Sequence, residues 1–411
     1  MTSFTSILKT CKSFNALSVA TVDNYLMYFV AMKEGLDFEV DERLKRFRTV
    51  TKKFEKSWIN LVKAQVICHR IFKKNGLLKK YIKHAAVKSI PAEQQEFLRQ
   101  QADHPWRYSF HQIVANPSKY FYEMVDLFNG ERFLLYSPSV TKTLAEHPVS
   151  IWFNLIAFNG ACWLTYGPIV SLQSFDPDDI FFFATELNPD IESEEELMAD
   201  VEQNPLPYLM LIHASHNPRI VNGEDEIVQV VADHPLEKFN SEALRKNFRL
   251  EYAKGVYRIS KEPWNEPPHF AAAYYAEDRK TLLLVSMTDR GFNGLMKELN
   301  LQGMDLPEEP DVRVHLTMLI ATKNILCKEV ILDPYEKLYQ QKSTTSENEL
   351  MDKLNHLLQL ALPYVNSGKE PDIEALAKEA GVDLETAREI LGKSMGRINT
   401  LRDRIDKKVK K

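Results

Sequence analysis

The sequence predicts an α+β protein with a basic helical N-terminal region, a central mixed α/β part with small antiparallel sheets or a barrel, and a helical C-terminal module. Three patterns indicate this class. Apolar residues recur at helical spacing within residues 36–75. Short apolar or alternating runs between turn residues, which are typical of strands, fill 108–172 and recur within 205–333. After Pro334 the spacing is helical again.

Length and composition set the scale of the fold. The 411 residues indicate two or three compact units, at roughly 150 residues per domain. An apolar content of 44% is enough for a sizeable core. The predicted regions are 1–102 (basic and helical), 103–204 (small β sheet or barrel with an acidic helix), 205–340 (second α+β lobe) and 346–411 (helical module).

Several classes of protein are disfavoured. No run approaches the roughly 18 uncharged apolar residues of a membrane span. Lys9 and Lys12 interrupt the apolar N-terminus, so we expect no secretory signal. The four scattered cysteines predict neither a disulfide framework nor a zinc cluster, and we interpret them as small buried hydrophobes. We therefore expect a reduced, cytoplasmic protein without a membrane span.

Motifs for common chemistry are missing from the sequence. It contains neither the glycine patterns of nucleotide-binding loops nor the serine elbow of hydrolases. The nearest approach to a metal site is His213 and His216, with His234 and His269 later in the chain, but no spacing defines a third ligand. We therefore predict no metal and no cofactor, and expect a non-enzymatic protein rather than an enzyme.

The N-terminal helices carry one apolar face. Its residues are Phe47, Val50, Phe54, Trp58, Val62, Val66 and Phe72. Neither glycine nor proline interrupts 36–75, and the pair Asn75-Gly76 predicts the first turn. A second basic helix is predicted over 77–88, and Pro91 begins a short third helix.

A hairpin and three further strands are predicted in the next region. Residues 120–128 and 131–136 flank Asn129-Gly130, a pair suited to a type I′ turn. The further strands are 151–158, 161–166 and 169–172, which together suggest a small twisted sheet or partly closed barrel.

Two acidic helices follow. Asp176, Asp178 and Asp179 offer paired carboxylates for acid–base chemistry, but the capping of a helix explains them more simply. Ser193 and Glu196 have the spacing of a capping box.

The second lobe contains a further set of strands and one helix. The predicted strands are 226–232, 248–252, 256–260 and a long hairpin of 269–276 with 281–287, before a helix near 291–300.

The charge distribution is the most informative feature for function. The whole chain carries a net charge of −5, yet the window Arg43–Lys88 holds fifteen Lys and Arg and one acid, Glu55. A positive surface of this kind attracts phosphate backbones. We therefore predict a nucleic-acid-associated protein that binds the backbone through twelve cations of this window: Arg43, Lys45, Arg46, Arg48, Lys52, Lys53, Lys56, Lys73, Lys74, Lys79, Lys80 and Lys83.

The alternative is a protein-interaction or scaffold module. The basic window would then form a solvated face or dock on the chain's own acids, which are concentrated in the stretch Asp190–Glu202. An anionic membrane surface is a further possible partner of the window.

Residues 372–391 resemble the helix-turn-helix of bacterial repressors of the lac-repressor type. Ala377 occupies the small position where the helices cross, Gly381 the turn, Val382 the core behind it, and Asp383 the cap of the second helix. The resemblance implies a helix in the major groove. The carboxylates at the start of this second helix depart from the pattern, so base reading, nonspecific binding and a plain helical hairpin all stay open.

The C-terminal tail is basic again. Its predicted phosphate-binding residues are Arg402, Arg404, Lys407 and Lys408.

Overall fold

The computed structural model describes residues 4–146, 148–215, 217–339, 353, 356–357, 360 and 372–388. The protein is mixed α/β, with 48% helix and 22% strand, as the sequence predicts. It divides into two compact units, Met1–Pro334 and Tyr335–Lys411. The finer division of the first 340 residues into three regions stays a prediction.

The N-terminal region is helical, in agreement with the prediction. Its helices are α1 (Phe4–Ser18), α2 (Met27–Glu34), α3 (Leu36–Lys45), α4 (Arg48–Thr51), α5 (Lys56–Phe72), α6 (Leu78–Tyr81), α7 (Ala85–Lys88) and α8 (Ala92–Asp103). A π-helical segment, Val19–Leu26, connects α1 with α2. The predicted apolar face is confirmed, since its residues are buried or packed against the main core.

The basic window is more broken than the sequence suggests. Residues 36–75 form α3, α4 and α5, because α3 folds back beside α5 and the chain must reverse between them. Lys63 on α5 reaches Asp41 on α3 at 2.8 Å across this pairing. The predicted helix over 77–88 is wrong in detail, since it is two single turns separated where His84 is extended and caps α7. The turn at Asn75-Gly76 is present, with Asn75 at a φ of 59°.

The strands after α8 close into a barrel in the order β1-β2-β3-β5-β4, with β4 pairing back to β1. The strands are β1 (Arg107–Ser118), β2 (Phe121–Asp126), β3 (Arg132–Tyr136), β4 (Ile151–Phe158) and β5 (Trp163–Leu172), and α9 (Pro138–Glu146) connects β3 to β4. All neighbours are antiparallel except β3 and β5, which are parallel. The two separate strands predicted within 161–172 are one strand, β5, whose register against β4 shifts between Phe153 and Leu155.

The β2–β3 hairpin is confirmed, but its turn is not type I′. Only Gly130 has a positive φ, of 69°, whereas a type I′ turn needs two such residues. The side chain of Asp126 accepts the N–H groups of Phe128 and Asn129, which holds a longer loop instead.

A six-stranded antiparallel sheet forms the second lobe, in the order β13-β8-β12-β11-β10-β9. Its strands are β8 (Val228–Pro235), β9 (Arg249–Ala253), β10 (Val256–Ser260), β11 (Ala272–Ala276), β12 (Thr281–Ser286) and β13 (Val312–His315), and a small hairpin, β6 (Val221–Asn222) and β7 (Asp225–Glu226), precedes them. Helix α14 (Asp289–Asn300) covers one face and closes a core of its own.

The remaining helices of the first unit are α10 (Pro177–Leu187), α11 (Glu194–Gln203), α12 (Pro205–Leu209), the single turn α13 (Ser241–Leu244) and α15 (Leu316–Leu326). Both predicted caps are confirmed, because Asp176 with Asp179 and Ser193 with Glu196 each form a reciprocal capping box.

In the second unit, the helix Ile373–Ala380 ends at Gly381, and residues 384–388 are helical again. Gly381 has a φ of 68°, which is the backbone form that the turn of the helix-turn-helix resemblance requires. Ala377, Val382 and Ala387 are buried together, and Asp383 accepts the N–H of Thr386 as a cap.

Candidate functional site

Four of the twelve predicted N-terminal cations contact partners within the protein. Lys45 pairs with Glu42, and Lys80 reaches Glu34 at 2.5 Å. The other two are Arg43 and Lys73, which lie at the junction described next. The positions of these four cations make them weaker candidates for phosphate contact.

Glu202, the last acid of the acidic stretch, forms a half-buried junction with the basic window. One carboxylate oxygen lies 2.7 Å from Nε2 of His69, and the other accepts the N–H of Tyr108 at 2.7 Å. Lys73 donates to the backbone carbonyl of Glu202, and the guanidinium of Arg43 donates to the side chain of Asn204, two residues further on. Burial lowers the pKa of His69 despite the nearby carboxylate.

This junction is limited in extent. Among the described residues, no other acid of 190–202 forms a salt bridge with the basic window. The acids at the start of α11 are used instead as helix caps and first-turn charges. The acidic stretch therefore does not cover most of the basic surface.

The other eight predicted N-terminal cations are exposed, and none forms a salt bridge within the part of the chain that the structure describes. They are Arg46, Arg48, Lys52, Lys53, Lys56, Lys74, Lys79 and Lys83. The first five surround the single turn α4, and we call them the α4 patch. Helix α4 packs on α15, which fixes the position of the patch on the first unit.

The α4 patch also affects a neighbouring histidine. The ring of His213 lies against Phe54, with centroids 6.3 Å apart. Burial and the positive charge of Lys53 both lower the pKa of His213. A cation that disfavours the protonated form of a neighbour is a sign of local positive potential.

Two cation-lined grooves flank helix α8, and we call them the α8 grooves. One, of about 440 Å³, has Lys73, Lys74 and Lys79 in its wall. Gly76 lies in the same wall, where a Cβ atom would come within 2.9 Å of three backbone carbonyl oxygens. Asp103 is the acid that faces these lysines.

The second groove, of about 380 Å³, is lined by Lys83, Lys88 and Arg99. Arg99 bonds to Glu96 on the same helix at 3.0 Å, whereas the two lysines are exposed. Lys88 and Arg99 were not among the predicted binding residues. Arg99 lies outside the basic window in sequence, so only the packing of α8 on α6 could reveal it.

A second cluster of charged side chains links α10 to the six-stranded sheet. The buried carboxylate of Asp179 accepts both the N–H and Nδ1–H of His315, each at 2.8 Å. Arg219 bridges Asp176 and Glu226, at 2.6 and 2.7 Å. These residues are spread over 140 positions in the chain, so no local motif marks them.

Arg313 completes this cluster by binding Asp289 through two nitrogens, each at 2.9 Å. Nitrogen and oxygen atoms of Asp176, Asp179 and His315 lie within 4.8 Å of one another, which is close enough for a metal ion. The guanidinium groups of Arg219 and Arg313 already bring positive charge to Asp176, however. We therefore interpret the cluster as an ion-pair network that joins two parts of the fold.

The histidines considered as metal ligands are not brought together. His213 lies against Phe54, His234 is in strand β8, and His269 bonds to Thr288 at 2.6 Å. His216 lies outside the described residues. None of the other three belongs to a metal-compatible group among the described residues.

The basic tail, with Arg402, Arg404, Lys407 and Lys408, lies outside the described residues. Within the part of the chain that the structure covers, no helix combines the length and apolar character needed to cross a bilayer. No protein family matches the chain, and no curated protein or solved structure is significantly similar to it.

Proposed function

We propose that the protein binds nucleic acid by holding the phosphate backbone against the exposed cations of its N-terminal helices. The observation that carries this proposal is that eight of the twelve predicted cations are exposed without a salt bridge among the described residues. Each such cation that contacts a phosphate releases condensed counterions, which favours binding at low salt.

The α8 grooves place part of this positive charge in the walls of concave sites. Each groove has two exposed lysines without a salt bridge among the described residues, Lys74 with Lys79 in one and Lys83 with Lys88 in the other. Lysine binds phosphate as a point charge without a strict angle, so several lysines can follow a flexible backbone. We expect the grooves to take the most closely held phosphates, and the α4 patch to extend the contact.

We expect little sequence preference from this surface. Lysines on short helices and turns contact phosphates, whereas sequence is read by side chains that reach base edges in a groove of the duplex. Helices α4, α6 and α7 are each four residues long, which is too short to lie along a major groove. The binding is therefore proposed as nonspecific, with the basic tail as a further contact.

The test is a salt titration of binding to a labelled duplex and a labelled single strand, from about 50 to about 300 mM salt. Contact with about six phosphates predicts that the logarithm of the affinity falls with a slope near −5 against log salt for a duplex. The triple variant Lys74→Glu, Lys79→Glu, Lys83→Glu should lose at least tenfold in affinity, a loss of about 1.4 kcal/mol.

The matched control reverses three charges elsewhere on the first unit. Lys238, Lys246 and Arg279 are exposed on the second lobe and have no salt bridge among the described residues. Their change to glutamate alters the net charge by the same amount, so a specific surface predicts near-unchanged binding. An equal loss in both triple variants would mean that only net charge matters. No binding at the lowest salt would reject the proposal and favour the protein-interaction alternative.

A further inference from the structure

Cys11 and Cys162 form a buried thiol pair that joins the first helix to the barrel. Cys11 lies in α1, and Cys162 lies directly before β5, 151 positions later. Their Sγ atoms are 3.4 Å apart. Both side chains are almost completely buried, at 0% and 1% exposure. Because a disulfide needs a sulfur separation of about 2.05 Å, a small approach would join them.

Asn159 directs its amide N–H groups at both sulfur atoms. Its Nδ2 lies 3.3 Å from Sγ of Cys11 and 3.7 Å from Sγ of Cys162. Its Oδ1 accepts the backbone N–H groups of Ala161 and Cys162, each at 2.8 Å. The oxygen is thus held by the loop, and the donor end of the amide must face the sulfurs. Such donors stabilise a thiolate, which is the reactive form of cysteine.

We propose that Cys11 and Cys162 are a site of reversible oxidation, at which a hydroperoxide converts the two thiols into a disulfide between α1 and the barrel. The thiolate of Cys11 attacks one peroxide oxygen, the O–O bond breaks, and the hydroxide that leaves takes up a proton. The sulfur of Cys162 then attacks the sulfenic acid, the S–S bond forms, and the second oxygen leaves as water with the proton of Cys162. Two thiols and one hydrogen peroxide give one disulfide and two waters.

Cys11 is the thiol that we expect to react first. The hydrogen bond with Cys162 lowers the pKa of Cys11, against burial, and the amide of Asn159 adds to this effect. The same pairing raises the pKa of Cys162. A thiol with a lowered pKa beside a second thiol that can attack it is the arrangement that the two-step reaction needs.

The other two cysteines lack these features. Cys68 is buried and donates to the hydroxyl of Tyr166 at 3.1 Å, and burial raises its pKa to about 12. Cys327 is exposed, with Thr49 rather than a second thiol beside it. Neither has a neighbouring thiol among the described residues, so neither can form an intramolecular disulfide without a large rearrangement of the described fold.

An exposed loop covers the pair, and we expect a small oxidant to reach the sulfurs by way of this loop. Gly160 and Ala161 are exposed at the tip of this loop, and Gly160 has a φ of 89° with no atom within 4 Å of a Cβ position. The side chain of Asn159 holds the base of this loop, whereas the tip at Gly160 has open space around it, so a local opening there displaces fewer neighbours than an opening in the core. Once formed, the disulfide would tie α1 to the barrel across 151 positions.

The test is a thiol count on the full chain after treatment with hydrogen peroxide. Reduced and denatured protein has four titratable thiols, and oxidised protein should have two. Proteolysis without reductant should yield one cross-linked peptide pair that contains Cys11 and Cys162 and is lighter by two hydrogens than the free peptides. Dithiothreitol should restore all four thiols.

Variants identify the pair and the role of the amide. The double variant Cys68→Ser, Cys327→Ser keeps the pair and should still lose two thiols, whereas Cys11→Ser should form no intramolecular disulfide. Asn159→Asp keeps the oxygen that holds the loop but places negative charge at the sulfurs. It should slow disulfide formation roughly tenfold, the effect of raising the thiol pKa by about one unit.

Two results would overturn the proposal. One is a wild-type chain that retains Cys11 and Cys162 as thiols while Cys327 is oxidised. The other is an Asn159→Asp variant that folds normally, as judged by circular dichroism, and forms the disulfide at the wild-type rate.

Discussion

Nδ1 of His315 lies 2.8 Å from Oδ2 of Asp179, and both side chains are 1% exposed. The two residues are 136 positions apart, at the end of β13 and in the first turn of α10. The same oxygen of Asp179 accepts the N–H of Asp176 in the capping box. One carboxylate therefore starts a helix and anchors the six-stranded sheet to it.

Loss of this carboxylate should destabilise the first unit. Asp179→Asn removes the charge that faces buried His315, and breaking a buried pair costs about 3 kcal/mol of unfolding free energy. Urea unfolding followed by tryptophan fluorescence measures this, since all five tryptophans lie before Pro334. Asp178→Asn, on the same turn of α10, is the matched control and should change the midpoint little. Equal midpoints for the two variants would contradict the role given to Asp179.

The free energy of unfolding should depend on pH through the protonation of His315. Burial disfavours its charge, but the hydrogen bond and the negative charge of Asp179, together with Glu226, outweigh burial and raise its pKa above 6.5. A group whose pKa is raised in the folded state contributes stability that is fully present below its unfolded-state pKa. That contribution is lost as the pH rises through its folded-state pKa. The difference in unfolding free energy between wild type and His315→Gln should therefore shrink as the pH rises above 6.5. A constant difference across that range would show that His315 is uncharged.

Glu226 should make the stability conferred by the same network depend on pH in the acidic range. The hydrogen bond from Arg219 lowers its pKa below 4.5. A group whose pKa is lowered in the folded state contributes stability that is present above its unfolded-state pKa. That contribution is lost as the pH falls through its folded-state pKa. The stabilisation that wild type has over Glu226→Gln should therefore disappear on acidification below 4.5. Parallel pH profiles for the two proteins would argue against an ionised Glu226.

Gly167 should tolerate alanine less well than Gly130. Both have a positive φ, of 75° and 69°, so alanine costs about 1 kcal/mol of backbone strain at either position. A Cβ atom at Gly167 would also approach the side chain of Gln65 to 3.0 Å. At Gly130 no atom lies within 4 Å of the Cβ position. We expect Gly167→Ala to lower the urea midpoint more than Gly130→Ala. The two substitutions would be equal if Gln65 moves freely.

The salt dependence of nucleic-acid binding should scale with the number of cations removed. Neutral substitution of Lys52, Lys53 and Lys56 in the α4 patch by glutamine should reduce the slope of log affinity against log salt by about 0.9 for each duplex phosphate that these lysines neutralise. Measurement by fluorescence anisotropy at several salt concentrations gives the slope directly. A weaker affinity with an unchanged slope would mean that these lysines act on folding rather than on phosphate.

The sequence predicts the local elements well, because local patterns determine them. Both capping boxes follow from spacing within one helical turn, and strands β8 to β12 of the second lobe follow from short apolar runs, whereas β6, β7 and β13 were not predicted. The turn at Asn129-Gly130 shows the limit of this approach. Asp126, three residues earlier, supplies the acceptor that selects a different loop.

Long-range contacts account for the elements that the sequence did not predict. The break between α3 and α5 has no glycine or proline to mark it, since it arises from the packing of the two helices. The contribution of Arg99 to a basic groove and the pairing of His315 with Asp179 likewise need the folded chain. Eight of the twelve predicted cations are exposed, which docking on the chain's own acids would not allow. They lie on and beside the short helices α4, α6 and α7 rather than along one long helix.

The parallel pairing of β3 with β5 limits where the chain can be cut. A fragment that stops after Phe158 would have β3 and β4 without the strand that pairs with both, and so would leave two open edges. Unpaired edges recruit strands from other molecules. We expect such fragments to aggregate, and the same hazard exists during synthesis until the ribosome has released Leu172.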